Sequence, residues 1–526
     1  MNITIGSRGS ELALWQAHFV QAQLKKIGVN SEIKIIKTQG DKIQHLSFDK
    51  LEGKGFFTKE IEDALLNKEI DLAVHSHKDL PTENPSGLVI AAVSYREDPS
   101  EILLINKNAV DSKQPLMLKK NAVVGTSSAR RKAQLLALRN DIELKDLRGN
   151  VPTRIQKLRD GNYDAIMLAA AGVERLNIPL EEFHVEKLSP ENFIPAPAQG
   201  VLALQIREDD KTLFEVLQKL NHTDVQTSIA IERKVLNLFE GGCHMPLGAY
   251  CISEENEEEE VIFKLHVSMA NAWDATPRYI YMESKSPETM AQKAVEKIKN
   301  IKPCSVFITR NQRKQDVFFD LLQKHNYTVH GISLIEIKQV NVKSFPDCDW
   351  VFFPSRHAVK YFFNQWQAPA DKKIKFAVVG QGTSDELRQH GYRADFIGTS
   401  TDTQMIGKKF ASIVKGTEIV LFPQAKGSLR SIQKQFVKPN QVIDVTVYET
   451  IKHPADELPQ ADILLFTSPS NVEAFFEKHQ IKQGQKVIAM GGATGKALEH
   501  KGVKRYALPP SFDDLGLIKT VMSISS

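Results

Sequence analysis

The sequence predicts an α/β protein with mainly parallel sheets, built as two successive sets of domains. Three observations point there. Short apolar strands alternate with helical patterns along most of the 526 residues. Turns rich in glycine, serine and arginine recur where those strands end. The alternation lapses after about Asp224 and resets at Lys299-Asn300-Ile301-Lys302-Pro303. A chain of this length has room for about three to five domains, each with its own core.

The strands expected in the first half are Ile33–Lys37, Leu72–His75, Leu88–Ala92, Ile102–Ile105, Ala165–Leu168 and Leu202–Ile206. Between them, Leu12, Trp15, Phe19 and Ala22 recur at helical spacing behind Ser10, a suitable N-cap. Ile61, Leu65 and Leu66 mark a second helical face. After Asp224 a helix over Thr227–Phe239, strands Ile262–Met269 and Tyr279–Glu283, and a helix over Pro287–Ile298 capped by Ser286 make a small α+β domain. The acidic run Glu254–Glu260 reads as a solvated hairpin tip. Past the reset, Ser305–Ile308 is a fresh first strand and Gln312–His325 its helix. Strands at Asp349–Phe353, Phe376–Val379, Glu418–Phe422, Val442–Val447, Ile463–Phe466 and Lys486–Met490 follow.

Composition narrows the class. Hydrophobic residues at 42% and charged residues at 25% are those of a soluble globular protein. A net charge of +4 is small for the length and gives no case for nucleic acid. No apolar run approaches the ~18 residues of a membrane span. The first residues enter a strand-like Ile3-Thr4-Ile5 with no signal-peptide pattern. Cys243, Cys251, Cys304 and Cys348 show no C-x-x-C pairing, which suits a reducing cytosol. A cytoplasmic protein is therefore expected.

Four turns in the first half look built for anions. Gly125-Thr126-Ser127-Ser128-Ala129-Arg130-Arg131 follows a strand and opens a helix, which combines free N–H groups, hydroxyls and two guanidinium forks. Leu147-Arg148-Gly149-Asn150-Val151-Pro152-Thr153-Arg154 and Gly6-Ser7-Arg8-Gly9-Ser10 repeat the form, and Arg175 follows the small residues 169–172. Ligands of α/β sheets sit at such strand ends. No Gly-x-x-x-x-Gly-Lys-Ser/Thr is present, so a polycarboxylate suits these arginines better than a nucleotide.

Two further motifs carry chemistry. Asp79, in Leu72-Ala73-Val74-His75-Ser76-His77-Lys78-Asp79, ends a strand where it can stabilise a cation or move a proton, or simply form a turn. His75 and His77 share a strand face, but no third ligand lies at a telling spacing, so no metal is expected. Glu240-Gly241-Gly242-Cys243-His244-Met245-Pro246 presents a thiol on an uncrowded turn, either as an attachment point or nucleophile, or as a small apolar residue.

Taken in order, residues 7–17, 53–60, 75–81, 125–131, 147–154, 197–200 and the cysteine turn resemble porphobilinogen deaminase, also called hydroxymethylbilane synthase, over residues 1–302. The resemblance implies two α/β lobes like those of periplasmic binding proteins, plus a small α+β domain. Lobe 1 would be 1–95 with 200–220, lobe 2 would be 96–199, and the cofactor-cysteine domain 221–302. It implies a dipyrromethane cofactor on Cys243 as a thioether, onto which four porphobilinogens are added head to tail with loss of ammonia. Asp79 matches the catalytic aspartate. Ser76, Lys78, Ser128, Arg130, Arg131 and Arg148 match cofactor-binding residues, and Arg8, Ser10, Lys54, Arg154 and Arg175 match substrate-binding ones. His77 and His244 stand where that family varies.

The second half speaks more quietly. Phe353-Pro354-Ser355-Arg356, Val379-Gly380-Gln381-Gly382-Thr383, Phe466-Thr467-Ser468-Pro469-Ser470-Asn471 and Met490-Gly491-Gly492-Ala493-Thr494-Gly495 are strand-end turns, either anion-binding or ordinary α/β connections. No acid, histidine or cysteine stands out. Residues 303–526 resemble uroporphyrinogen-III synthase, which closes the linear tetrapyrrole hydroxymethylbilane with inversion of one ring. That implies a two-domain α/β half, 303–338 with 455–526 and 342–450. Tyr448 would assist loss of hydroxide, and Ser468 and Thr494 would line the cleft. The expectation is thus a bifunctional monomer acting on small molecules, without nucleic acid or membrane. Two rivals remain: a deaminase with a structural or sensing second half, and a two-lobed anion-binding protein that needs neither Cys243 nor Asp79.

Overall fold

The computed structural model describes residues 1–38, 58–240, 245–256, 258–367, 373–400, 402–438 and 441–526. The chain divides into two compact units, Met1–Asn300 and Ile301–Ser526.

The first unit holds three sheets. In lobe 1 the strand order is Asn30–Ile35, Asn2–Ser7, Leu72–Ser76, Leu202–Arg207, Leu88–Val93. Asn2–Ser7 lies between two parallel neighbours, with Ile5 opposite both Ile33 and Leu72. Leu202–Arg207 runs antiparallel to both of its neighbours. Lobe 2 is ordered Glu143–Lys145, Val123–Gly125, Ala165–Ala169, Glu101–Asn106, Phe183–Leu188, again with one reversed strand, Glu101–Asn106. The expected parallel sheets are therefore mixed, because the chain crosses between lobes and re-enters each sheet from the opposite end. The third sheet is the antiparallel meander Leu247–Glu255, Val261–Met269, Arg278–Ser284. The helices Thr223–Leu238 and Met290–Lys299 accompany it.

Helix ends follow local chemistry. The helix Glu11–Lys26 starts where the Ser10 hydroxyl accepts from Ala13 N at 3.3 Å, with Glu11 in its first turn and Lys25 and Lys26 in its last. Ser286 does not cap the last helix of the unit. Its backbone N–H donates to Ser284 Oγ and its carbonyl accepts from the same hydroxyl, so a turn forms first and the helix begins at Met290. The helix expected from Gln312 likewise begins only at Val317, because Asp316 accepts from Arg313 N and holds the preceding residues as a loop.

The second unit has two sheets. One is all parallel, ordered Thr328–Gly331, Ser305–Ile308, Ile463–Phe466, Lys486–Ala489. The other runs Ile335–Gln339, Val442–Lys452, Val420–Ala425, Trp350–Phe353, Lys375–Val378, Phe396–Ile397, and only its first strand is antiparallel. The boundary expected at 338 moves ahead of Ile335, since Ile335–Gln339 pairs along Val442–Lys452.

Within the first unit the two lobes are tied to the third domain by one carboxylate. Glu232 has no exposed surface. Its Oε1 accepts from Arg96 Nη1 at 2.6 Å and Cys251 N at 2.7 Å, and its Oε2 from Arg96 Nη2 at 3.2 Å and Ala198 N at 2.7 Å. Arg96 and Ala198 lie on the two interlobe crossings, and Cys251 on the meander. Arg96 Nε also donates to Gln199 O, and Glu97 N to Gly200 O. Gly200 takes φ +91°, and a Cβ there would sit 2.3 Å from Glu97 O, so only glycine lets the crossings close. Glu232→Ala strips a buried guanidinium and two buried N–H groups of their partner. It is expected to destabilise the first unit by about 3–5 kcal/mol, read from its denaturant midpoint, whereas a loss below about 1 kcal/mol would mean the crossings hold without it.

Candidate functional site

In each lobe of the first unit the expected site residues stand at the C-terminal ends of neighbouring parallel strands. Arg8 and Ser10 follow Asn2–Ser7, and Ser76, Lys78 and Asp79 end or follow Leu72–Ser76. Ser128, Arg130 and Arg131 follow Val123–Gly125, Arg148 and Arg154 follow Glu143–Lys145, and Arg175 follows Ala165–Ala169. The two edges face each other, because charges on one act on the other. Asp79 acts on Arg154, and Arg130, Arg131 and Glu101 act on Lys78.

Glu101 organises the lobe 2 edge. It is fully buried, and its two oxygens accept at 2.6 Å from Arg130 Nη2 and Arg131 Nη2. Burial alone would raise its pKa, but the guanidinium charges of Arg131 and Arg130 outweigh that and hold it at about 2. Arg130 also donates to Ile194 O at 3.0 Å. Arg131 donates to Met167 O at 3.1 Å, which leaves its buried Nε with no partner. Sequence reasoning passed over Glu101; a lone acid opening the apolar strand Glu101–Asn106 was the available signal.

Around this pair the charge is strongly positive. Arg154 donates through Nε to Gly149 O at 2.7 Å; burial, then the like charges of Arg131 and Arg148, lower its pKa to about 10. Burial lowers the Lys78 pKa, with Asp79 opposing it, and Lys78 Nζ lies 3.3 Å from Gln199 Oε1. Asp79 is exposed at the end of the single turn His77–Asp79. Ser76 accepts from Gln16 Nε2 at 2.9 Å, and Ser128 caps the helix Ala129–Leu138. Arg175 donates to Gly200 O at 2.7 Å and lies 5.7 Å over the Trp15 ring, with its buried Nε unpartnered. The cations Lys78, Arg130, Arg131, Arg148 and Arg154 thus stand around the carboxylates Glu101 and Asp79 and outnumber them. That surplus, with the orphaned Nε of Arg131, fits a ligand carrying several carboxylates. Cys243 and Lys54 lie outside the described residues. His75 and His77 are buried, which lowers their pKa values to about 4 and about 3 and keeps both rings neutral.

In the second unit, Tyr448 is buried in the six-stranded sheet with its hydroxyl 3.1 Å from Ser355 Oγ. Burial raises its pKa, so the phenol keeps its proton. Ser468 caps the helix Pro469–Lys478, and Thr494 is buried with its hydroxyl turned back to Met490 O at 3.4 Å. These two sit at the ends of neighbouring strands in the other sheet, and no hydrogen bond among the described residues joins them to Tyr448. Sequence reasoning also missed the ion pairs here. Arg313 Nη2 lies 2.6 Å from Asp514 Oδ2, and Arg310 Nη2 2.9 Å from Asp316 Oδ1.

Comparison with known proteins separates the two halves in the same way. Residues 3–215 match the family described as porphobilinogen deaminase, dipyromethane cofactor binding domain, and residues 316–519 match uroporphyrinogen-III synthase HemD. The porphobilinogen deaminase of a Nitratiruptor species is 46% identical over 258 residues, which cover 49% of this chain and 81% of that protein. That of Bacillus cereus (strain AH187) is 39% identical over 319 residues, 60% of this chain and 99% of that protein. The uroporphyrinogen-III synthetase structure from Helicobacter pylori 26695 aligns over 42% of this chain and 99% of its own, at TM-score 0.30 and 17% identity.

The buried Glu101 gives a pH test. Its folded pKa of about 2 lies below the unfolded glutamate value of about 4.3, so its stabilising effect is complete above about 4.3 and is lost as pH falls towards 2. Glu101→Gln is expected to cost about 3–5 kcal/mol at neutral pH, with the gap to the parent narrowing below pH about 4.3 in equilibrium unfolding. A gap that stays constant down to acid pH would show that Glu101 is not the ion that Arg130 and Arg131 hold.

Proposed function

The chain belongs to the porphobilinogen deaminase family and carries a uroporphyrinogen-III synthase domain behind it, and from that premise we propose how its own residues divide the work. The enzyme condenses four porphobilinogens to hydroxymethylbilane with release of ammonia, then closes that chain with inversion of one ring to uroporphyrinogen III. The observation that carries the reading is the cationic cleft between the lobes, where one exposed carboxylate, Asp79, stands among arginines.

When bound, the dipyrromethane supplies the pyrrole carbon to which the first substrate ring is joined. Cys243 would hold it as a thioether. Arg131 and Arg148, with Lys78, Ser76 and Ser128, would fix its acetate and propionate groups through charge-assisted hydrogen bonds. Arg130, which shares Glu101 with Arg131, would contribute to the same contacts. Arg8, Ser10, Lys54, Arg154 and Arg175 would receive the carboxylates of incoming rings. Asp79 would stabilise positive charge as it develops on pyrrole nitrogen, a role that needs an ionised, accessible carboxylate. In the second unit the protonated Tyr448 would donate to the departing hydroxyl, while Ser468 and Thr494 would shape the cleft. We take the chain to act as a cytoplasmic monomer; among the described residues no helix is long and apolar enough to cross a membrane.

Two measurements test this. The purified chain is expected to weigh more than its sequence by one dipyrromethane, and Cys243→Ser to lose both the added mass and porphobilinogen consumption. An unmodified mass in active protein would remove Cys243 from the chemistry. The full chain fed porphobilinogen is expected to give mainly the type III isomer, with Tyr448→Phe shifting the product towards the type I isomer that forms without inversion. A parent chain that yields only type I would leave the second unit without a synthase role.

A further inference from the structure

In the second unit the strands Trp350–Phe353 and Lys375–Val378 pair in parallel, so the turns that follow them lie side by side. One turn leads into the helix Arg356–Phe363 and the other into the helix Gln381–Gln389. A Cβ placed on Gly382 would lie 3.5 Å from Arg356 Nε and 3.6 Å from its Cζ. The guanidinium therefore rests directly on the first turn of the second helix. That turn is a poor seat for a lone cation. Its N–H groups carry partial positive charge, its cap Gly380 offers no side-chain acceptor, and the Ser384 hydroxyl within it is buried without a partner.

The charges around Arg356 sharpen the mismatch. Burial lowers its pKa first, and the positive charges of Arg313 and Arg310 lower it further, against Asp514 and Glu386. Arg310 and Arg313 already have acids of their own in Asp316 and Asp514. Among the described residues, Arg356 forms no ion pair. It also directly follows Ser355, whose hydroxyl touches Tyr448. An unmatched guanidinium over an uncapped helix start, beside the one candidate acid, is arranged to receive a carboxylate.

We propose that Arg356 and the first turn of Gln381–Gln389 form a carboxylate site that takes one acetate or propionate of the linear tetrapyrrole and so places it against Tyr448. The proposal rests on the synthase reading given above. Its occupant brings the negative charge that the site lacks, and the planar guanidinium fixes that group in orientation as well as position.

The test supplies hydroxymethylbilane directly to the full chain and follows type III product. Arg356→Gln is expected to raise KM about tenfold or more while kcat changes less, and Arg356→Lys to fall between it and the parent, since charge is kept and the fork is lost. Gly382→Asp is tolerated at a helix start and should leave the melting temperature of the second unit unchanged, yet it sets a carboxylate beside the guanidinium, fills the site from within the chain and should also raise KM. A KM for folded Arg356→Gln within twofold of the parent overturns the site. If Arg356→Gln does not fold, an unchanged KM in Gly382→Asp overturns it and a raised one supports it. A parent chain that makes no type III product overturns the synthase reading, and this site with it.

Discussion

The geometry of the deaminase cleft depends on where Glu232 is held. One carboxylate without exposed surface joins both crossings between the lobes to the meander of the third domain, through four hydrogen bonds. Both oxygens are saturated by a guanidinium and two backbone N–H groups, so removal of any partner strands a buried charge or dipole. The separation of the two lobe edges, and hence the reach of Asp79 towards Arg154, follows from how those crossings close. A cleft that binds several carboxylates would tend to spring open on its own positive charge. A neutralised clamp at the crossings resists that without adding a cation to the cleft.

Glu101 solves the matching problem inside lobe 2. Two adjacent arginines at a helix start repel each other and the helix dipole alike. By taking one nitrogen from each, Glu101 fixes both side chains and leaves Arg131 with a donor to offer. Arg130 and Arg131 are bound alike, each with one nitrogen on Glu101 and another on a backbone carbonyl, Ile194 O for the first and Met167 O for the second.

Much of this was legible from local sequence. Ser10 behaves as the cap its spacing suggests, and the Gly-Ser-Arg turns stand at strand ends as their composition implies. Local rules failed where two local choices competed, as at Ser286, whose bonds to Ser284 displaced the expected cap. Asp316 was drawn into the loop by Arg313 in the same way. They failed altogether for Glu101 and Glu232. The first pairs with residues 29 and 30 positions away, and the second with Arg96 across 136 positions, so nothing near either acid reveals its partner. The reversed strands Leu202–Arg207 and Glu101–Asn106 were hidden for a related reason. A strand's sequence records which faces are buried and not the direction of its neighbours.

The two units meet different chemical demands, and their charges differ accordingly. The first must keep hold of an anchored chain while rings are added, which calls for many cations around a fixed point and one carboxylate to balance the charge that develops in each condensation. The second must accept a reactive chain once, fold its ends together and release the product. There Arg310 is matched by Asp316 and Arg313 by Asp514, whereas Arg356, next to the Ser355 that touches Tyr448, has no ion pair among the described residues. The intermediate can close without help, so it must be captured quickly. A covalent link to its source favours that by raising its concentration near the second site.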